Sequence, residues 1–77
     1  MEKTKIDAAE IGRRLRHLRG IRTRTGVARQ LGISPSRLGN YELGINRVPD
    51  DMKQLIASYY GVSVQDLFYG IEYHEAY

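Results

Sequence analysis

The sequence predicts an all-α fold, a bundle of five short helices with no convincing strand. Three observations carry this. Apolar residues recur at three- and four-residue spacing along most of the chain, the signature of helices with one buried face. Each such stretch opens on a capping residue or a proline, and most close on a glycine. The chain has 77 residues, enough for one domain that buries roughly 60% of its unfolded surface, so its core is small.

Residues 1–6 read as a frayed end. Asp7 and Glu10 have the spacing of a capping box and open a first helix that runs to about Arg19. Its buried stripe is Ile11, Leu15 and Leu18, and Gly20 stops it. Thr23 is the expected N-cap of a second helix over about 24–31, with Val27, Ala28 and Leu31 on its inner face and Gly32 at its end. Ser34 and Pro35 restart the chain as a third helix over about 35–43, a hydroxyl for the cap and a proline where no N–H is missed. Leu38 and Tyr41 face inward, and Gly44 ends it. After a link at 45–48, Pro49, Asp50 and Asp51 open a fourth helix, with acids in the positively polarised first turn. Met52, Leu55, Ile56, Tyr59 and Tyr60 form its apolar face, up to Gly61. Ser63 and Asp66 cap a short fifth helix at about 64–69, which buries Val64, Leu67 and Phe68. Residues 1–70 are thus read as the domain and 71–77 as a tail.

The stretch Arg24 to Leu43 carries the most information. Two short helices meet at a glycine turn, and small Ala28 lets the second cross close to the first. This is the grammar of a helix-turn-helix, which lays its second helix in the DNA major groove. The charge agrees. Residues 1–48 hold eleven lysines and arginines against four acids, net +7, while residues 49–77 hold one lysine against five acids, net −4. Such a split suits a polyanion-binding face backed by a solvated rear, although a basic helix pointing at solvent reads the same way. Most of the basic residues are arginines, which suit two-bonded phosphate contacts.

Other functions find little support. There is no cysteine, and His17 and His74 stand at no metal spacing, so no metal and no cofactor is expected. No run approaches the ~18 apolar residues of a membrane span and no signal-peptide pattern appears, so a soluble cytoplasmic protein is expected, with no small-molecule ligand evident. No nucleophile, histidine and carboxylate converge by spacing, so an enzyme is not expected.

The chain resembles the Cro/repressor (XRE-type) helix-turn-helix family of phage and bacterial regulators. Ala28, Gly32, Leu38 and Tyr41 stand at four characteristic positions of the motif. LGIS at 31–34 and NYELG at 40–44 are similar to its turn and the end of its recognition helix. Residues 48–68 resemble the last two helices of a Gram-positive, phage-associated branch. The resemblance covers about residues 11–70. It implies a DNA-binding domain of the phage-repressor type, and dimers that set two recognition helices roughly 34 Å apart, one turn of DNA. It also implies an internal pair, Arg19 with Glu42, joining the first helix to the third. The chain departs from the family in three ways: a connection about two residues shorter after Arg19, Arg24 where the family usually has a phosphate-contacting glutamine, and glycines at 26 and 39 inside helices.

With Leu38 and Tyr41 inward, Ser36, Gly39, Asn40 and Leu43 point outward and Arg37 lies on a flank. The expected base contacts are Ser36, Arg37, Gly39 and Asn40. Asn40 can pair with adenine, Arg37 can reach guanine or a phosphate, and bare Gly39 lets the backbone approach DNA. The bland readings are a solvated helix end for Asn40 and simple capping for Ser34. Thr23, Arg24, Ser34, Asn46 and Arg47 are expected on phosphates, where helix N-termini present free N–H groups. Arg13, Arg14 and Arg16 read as a solvated face. Leu67, Ile71, Tyr73 and Tyr77 form a candidate dimer contact, set against a disordered end. The function read from all this is a sequence-specific double-stranded DNA-binding transcriptional regulator, a repressor bound as a homodimer to a (pseudo)palindromic operator. The alternative is a protein-interaction module with a protein partner, such as the DNA-binding antitoxin of a toxin pair or an antirepressor-type partner, motivated by the tyrosine-rich acidic tail.

Overall fold

In the computed structural model the backbone is described for residues 2–5, 7–69 and 71–74, and side chains for residues 7–69. Five helices build the domain: α1 (Ala8–Arg19), α2 (Arg24–Leu31), α3 (Pro35–Glu42), α4 (Asp50–Tyr60) and α5 (Val64–Phe68). Two strands flank them, β1 (Glu2–Lys5) and β2 (Ile71–His74), paired antiparallel with Glu2 opposite His74 and Lys5 opposite Ile71. The strands correct the expectation of a frayed start and a separate tail. Their pairing joins the two ends of the chain, which short-range periodicity does not register.

The caps explain the helix limits. Asp7 accepts from the Glu10 N–H at 2.9 Å, Thr23 from Gly26 at 3.0 Å, Ser34 from Arg37 at 3.1 Å and Ser63 from Asp66 at 3.0 Å. Each occupies one of the donors a helix start leaves unpaired. At Asp7 only half of the capping box forms, because the Glu10 carboxylate turns to Arg13 and Arg14 instead. Gly32 ends α2 at φ 75°, ψ 27°, a left-handed conformation that fixes the turn between α2 and α3.

Leu15, Val27, Ala28, Leu38, Tyr41, Ile56, Leu67 and Phe68 fill the core, with Ile11, Leu18, Tyr59, Tyr60 and Val64 packed half-buried against it. Leu55 does not join them. It is 45% exposed, and Ala57 is buried in its place. The apolar face of α4 is therefore turned relative to the one read from spacing, since the helix must meet α2 and α5 at once. Val48, in the link, is also buried.

Gly12 fixes how α1 crosses α3. A Cβ at this position would overlap the backbone carbonyl of Glu42 and stand 2.9 Å from that of Tyr41. Backbone thus lies on backbone, and α3 is held against α1 from behind.

Candidate nucleic-acid interface

The inner row of α3 is locked. Leu38 and Tyr41 are buried, and the Glu42 side chain is only 2% exposed. Glu42 meets Arg19 in a two-bonded ion pair, Nε to Oε2 at 2.7 Å and Nη2 to Oε1 at 3.0 Å. Arg19 also donates to the Arg22 carbonyl at 2.9 Å, so the connection after α1 is pinned at the same point. The Glu42 carboxylate holds the Arg19 guanidinium more firmly protonated than usual. The one acid on α3 is therefore neutralised inside the domain and adds no repulsion towards a polyanion.

The outer row is polar and open. Ser36 and Arg37 are exposed and Asn40 is half-buried. Arg37 is steadied within its own helix, with Nε donating to Tyr41 Oη at 2.8 Å and the guanidinium 5.8 Å from that ring's centre. Leu43, at the end of this helix, is 63% exposed, and Val48 in the link is buried. Around this face, Thr23 and Ser34 stand exposed at the starts of α2 and α3, and Asn46 and Arg47 stand exposed just beyond α3.

Two residues sit differently from the expectation. Gly39 is buried, because the Arg24 side chain lies across it. A Cβ on Gly39 would find Arg24 Nη1 at 3.2 Å, Cζ at 3.4 Å and Cδ at 3.5 Å. Arg24 reaches back from the start of α2 towards α3, with Nε 3.7 Å from Glu42 Oε1. The bare backbone expected at 39 is thus covered, and Arg24 is drawn to α3 by charge.

The dimer residues also divide. Leu67 is 3% exposed, so it belongs to this domain's own core and has almost no surface to give a second copy. Ile71 and Tyr73 lie on β2, and Tyr77 lies outside the described residues. On α1, Arg13 and Arg14 both bond Glu10, and Arg14 also donates to the Asp66 carbonyl at 2.6 Å, tying α1 to α5. Sequence spacing missed this second role of the basic face, because Asp66 enters through its backbone. Among the described residues no group of three or more His, Asp or Glu could hold a metal, and no helix is long and apolar enough to cross a membrane.

A family model described as a helix-turn-helix domain matches residues 10–67, from within α1 to within α5. The chain belongs to the helix-turn-helix domain family. Within it, the chain is of the Cro/repressor (XRE) type. Two solved structures are similar. One is the restriction-modification controller protein C.AhdI from Aeromonas hydrophila, 28% identical, TM-score 0.71, with 80% of this chain and 93% of that one covered. The other is the DNA-binding domain of BldD, 30% identical, TM-score 0.66, with 79% and 92% covered. No curated protein gives a significant match. The helix-turn-helix is thus α2, the Gly32 turn and α3, and the fold is that of a DNA-binding regulator.

Proposed function

We propose that this chain is a sequence-specific double-stranded DNA-binding transcriptional regulator, a repressor, which binds a (pseudo)palindromic operator as a homodimer with α3 in the major groove. The observation that carries the reading is the two-sidedness of α3. Its inner row is locked to α1 through Glu42 and Arg19, while Ser36, Arg37 and Asn40 form an open outer row of side chains able to bond base edges. The similarity to a restriction-modification controller and to the DNA-binding domain of BldD supports the regulatory role.

In this reading Asn40 pairs with adenine, Ser36 bonds either base type, and Arg37 reaches guanine or the adjoining phosphate. Thr23, Ser34, Asn46 and Arg47 contact phosphates on either side of the groove. The capping hydroxyls accept from their helix N–H groups and still have a proton to donate to phosphate oxygen. These contacts set position and salt dependence, and the outer row sets sequence. The regulator works in the cytoplasm, on the nucleoid, and needs no cofactor and no catalytic group.

Selection from a random duplex library tests it. The expected result is a motif of two half-sites with centres about one helical turn apart. A single half-site would contradict the dimer, and no enrichment would contradict sequence-specific binding altogether.

A further inference from the structure

Gly39 is the one position of α3 with no side chain of its own, and it is covered by a side chain from another helix. Arg24 Nη1, Cζ and Cδ lie 3.2, 3.4 and 3.5 Å from where a Gly39 Cβ would be. The arm is anchored: Nε stands 3.7 Å from Oε1 of Glu42, a carboxylate whose side chain is 2% exposed and is itself fixed by two bonds from Arg19. Yet 45% of the Arg24 side chain remains exposed. A guanidinium offers donors on more than one edge. With Nε turned to Glu42, the Nη edge is left over.

We propose that Arg24 is a specificity-determining residue that reads guanine, serving as the side chain which position 39 of the recognition helix lacks. This rests on the reading of α3 as the major-groove helix. An arginine at a helix start, if unanchored, would swing freely to the nearest phosphate. Here Glu42 pulls it across α3 and holds it on the recognition surface, and glycine is the residue that leaves the arm its room. The Nη pair then presents two parallel donors beside the outer row of Ser36 and Asn40, the arrangement that matches O6 and N7 of guanine. The three charges Arg19, Glu42 and Arg24 are a positioning chain that runs from the core to the groove.

The test is library selection with the wild-type chain, Arg24→Ala, Arg24→Lys and Gly39→Leu, followed by affinities on the selected duplex and on one changed at the proposed guanine. Arg24→Lys keeps the charge and loses the fork. Gly39→Leu keeps Arg24 and fills its resting place. All three variants are expected to lose the same single guanine preference in each half-site, with the other positions retained. On the selected duplex, affinity should fall about tenfold or more, as loss of a two-bonded base contact implies. On the changed duplex it should fall little. If Arg24→Ala and Arg24→Lys weaken binding equally on both duplexes, or leave the motif unaltered, Arg24 is a phosphate or structural residue and the proposal is overturned. If the wild type itself selects no motif, the underlying reading of α3 fails first, a result distinct from an unaltered motif in the variants. Thermal unfolding of each variant separates a lost fold from a lost contact.

Discussion

Residue by residue, the interior around Glu42 shows how closely polar groups are matched, and where they are not. The Tyr60 hydroxyl is buried with no hydrogen-bond partner among the described residues. Burial, followed by the nearby Glu42 charge, pushes its pKa up from 10.0 to about 12. A buried hydroxyl without a partner costs roughly 1–3 kcal/mol, and removing it without changing shape recovers part of that. Tyr60→Phe is therefore expected to raise stability by about 1 kcal/mol at neutral pH, measured by denaturant unfolding. It should also flatten the alkaline limb. Below pH 10 both states keep the phenolic proton; between 10 and about 12 the unfolded chain loses it first, so the wild type alone loses this share of stability as pH rises. A variant less stable than wild type would mean that the hydroxyl has a partner.

The same scale shows what the residues disclosed in advance and what they did not. Asp7, Thr23, Ser34 and Ser63 were legible as caps because capping is settled within three residues of chain. The position of Arg24 was not. A charge at a helix start reads as a phosphate contact, and only the folded chain brings Glu42 of a different helix to its Nε. Gly39 misled for the same reason: a missing side chain looks like open space until a neighbour is found lying in it.

At the level of elements, the five helices follow from local signals, and their relative placement does not. Spacing gave Leu15, Val27, Leu31, Leu38 and Ile56 correctly as core, yet it placed Leu55 inside and overlooked Ala57. Which side of α4 is buried depends on the helices it meets, a non-local fact. The β1–β2 pairing is non-local in the extreme, joining residues 2–5 to 71–74. The crossing of α1 over α3 is set by Gly12, unremarkable in the sequence since glycine inside a helix reads only as a cost. Gly12→Ala should destabilise the domain by about 3 kcal/mol in denaturant unfolding, because the new methyl meets backbone rather than a side chain that can swing away. It should also weaken DNA binding at temperatures where the fold persists, as α3 is displaced from its seat. An alanine variant as stable as wild type would show that the two helices can separate freely.

Across the whole molecule, charge is divided between holding the domain together and facing outward. Arg13 and Arg14 are spent on Glu10, and Arg19 on Glu42, whereas Arg37 and Arg47 stand exposed around α3. The bonds from Arg13, and after it Arg14, hold the Glu10 carboxyl below its ordinary value of 4.5. A carboxylate so held stabilises the fold above its unfolded pKa, and that contribution is lost as pH falls through the lower folded value. The melting temperature of the wild type should accordingly drop below about pH 4.5, and Glu10→Gln should drop less over the same range. Parallel acid limbs would show that the Glu10 cluster contributes nothing to the fold.

The open face is the central claim, and its most direct measurement is a ratio of affinities. The wild-type chain is titrated against its selected duplex and against a scrambled duplex of equal length, at one fixed salt concentration near 100 mM. Phosphate contacts act on both duplexes alike, so the ratio isolates what the outer row of α3 reads. A preference of about a thousandfold or more for the selected duplex is the predicted result. A preference below about tenfold would contradict it, leaving a basic domain that holds DNA without reading it.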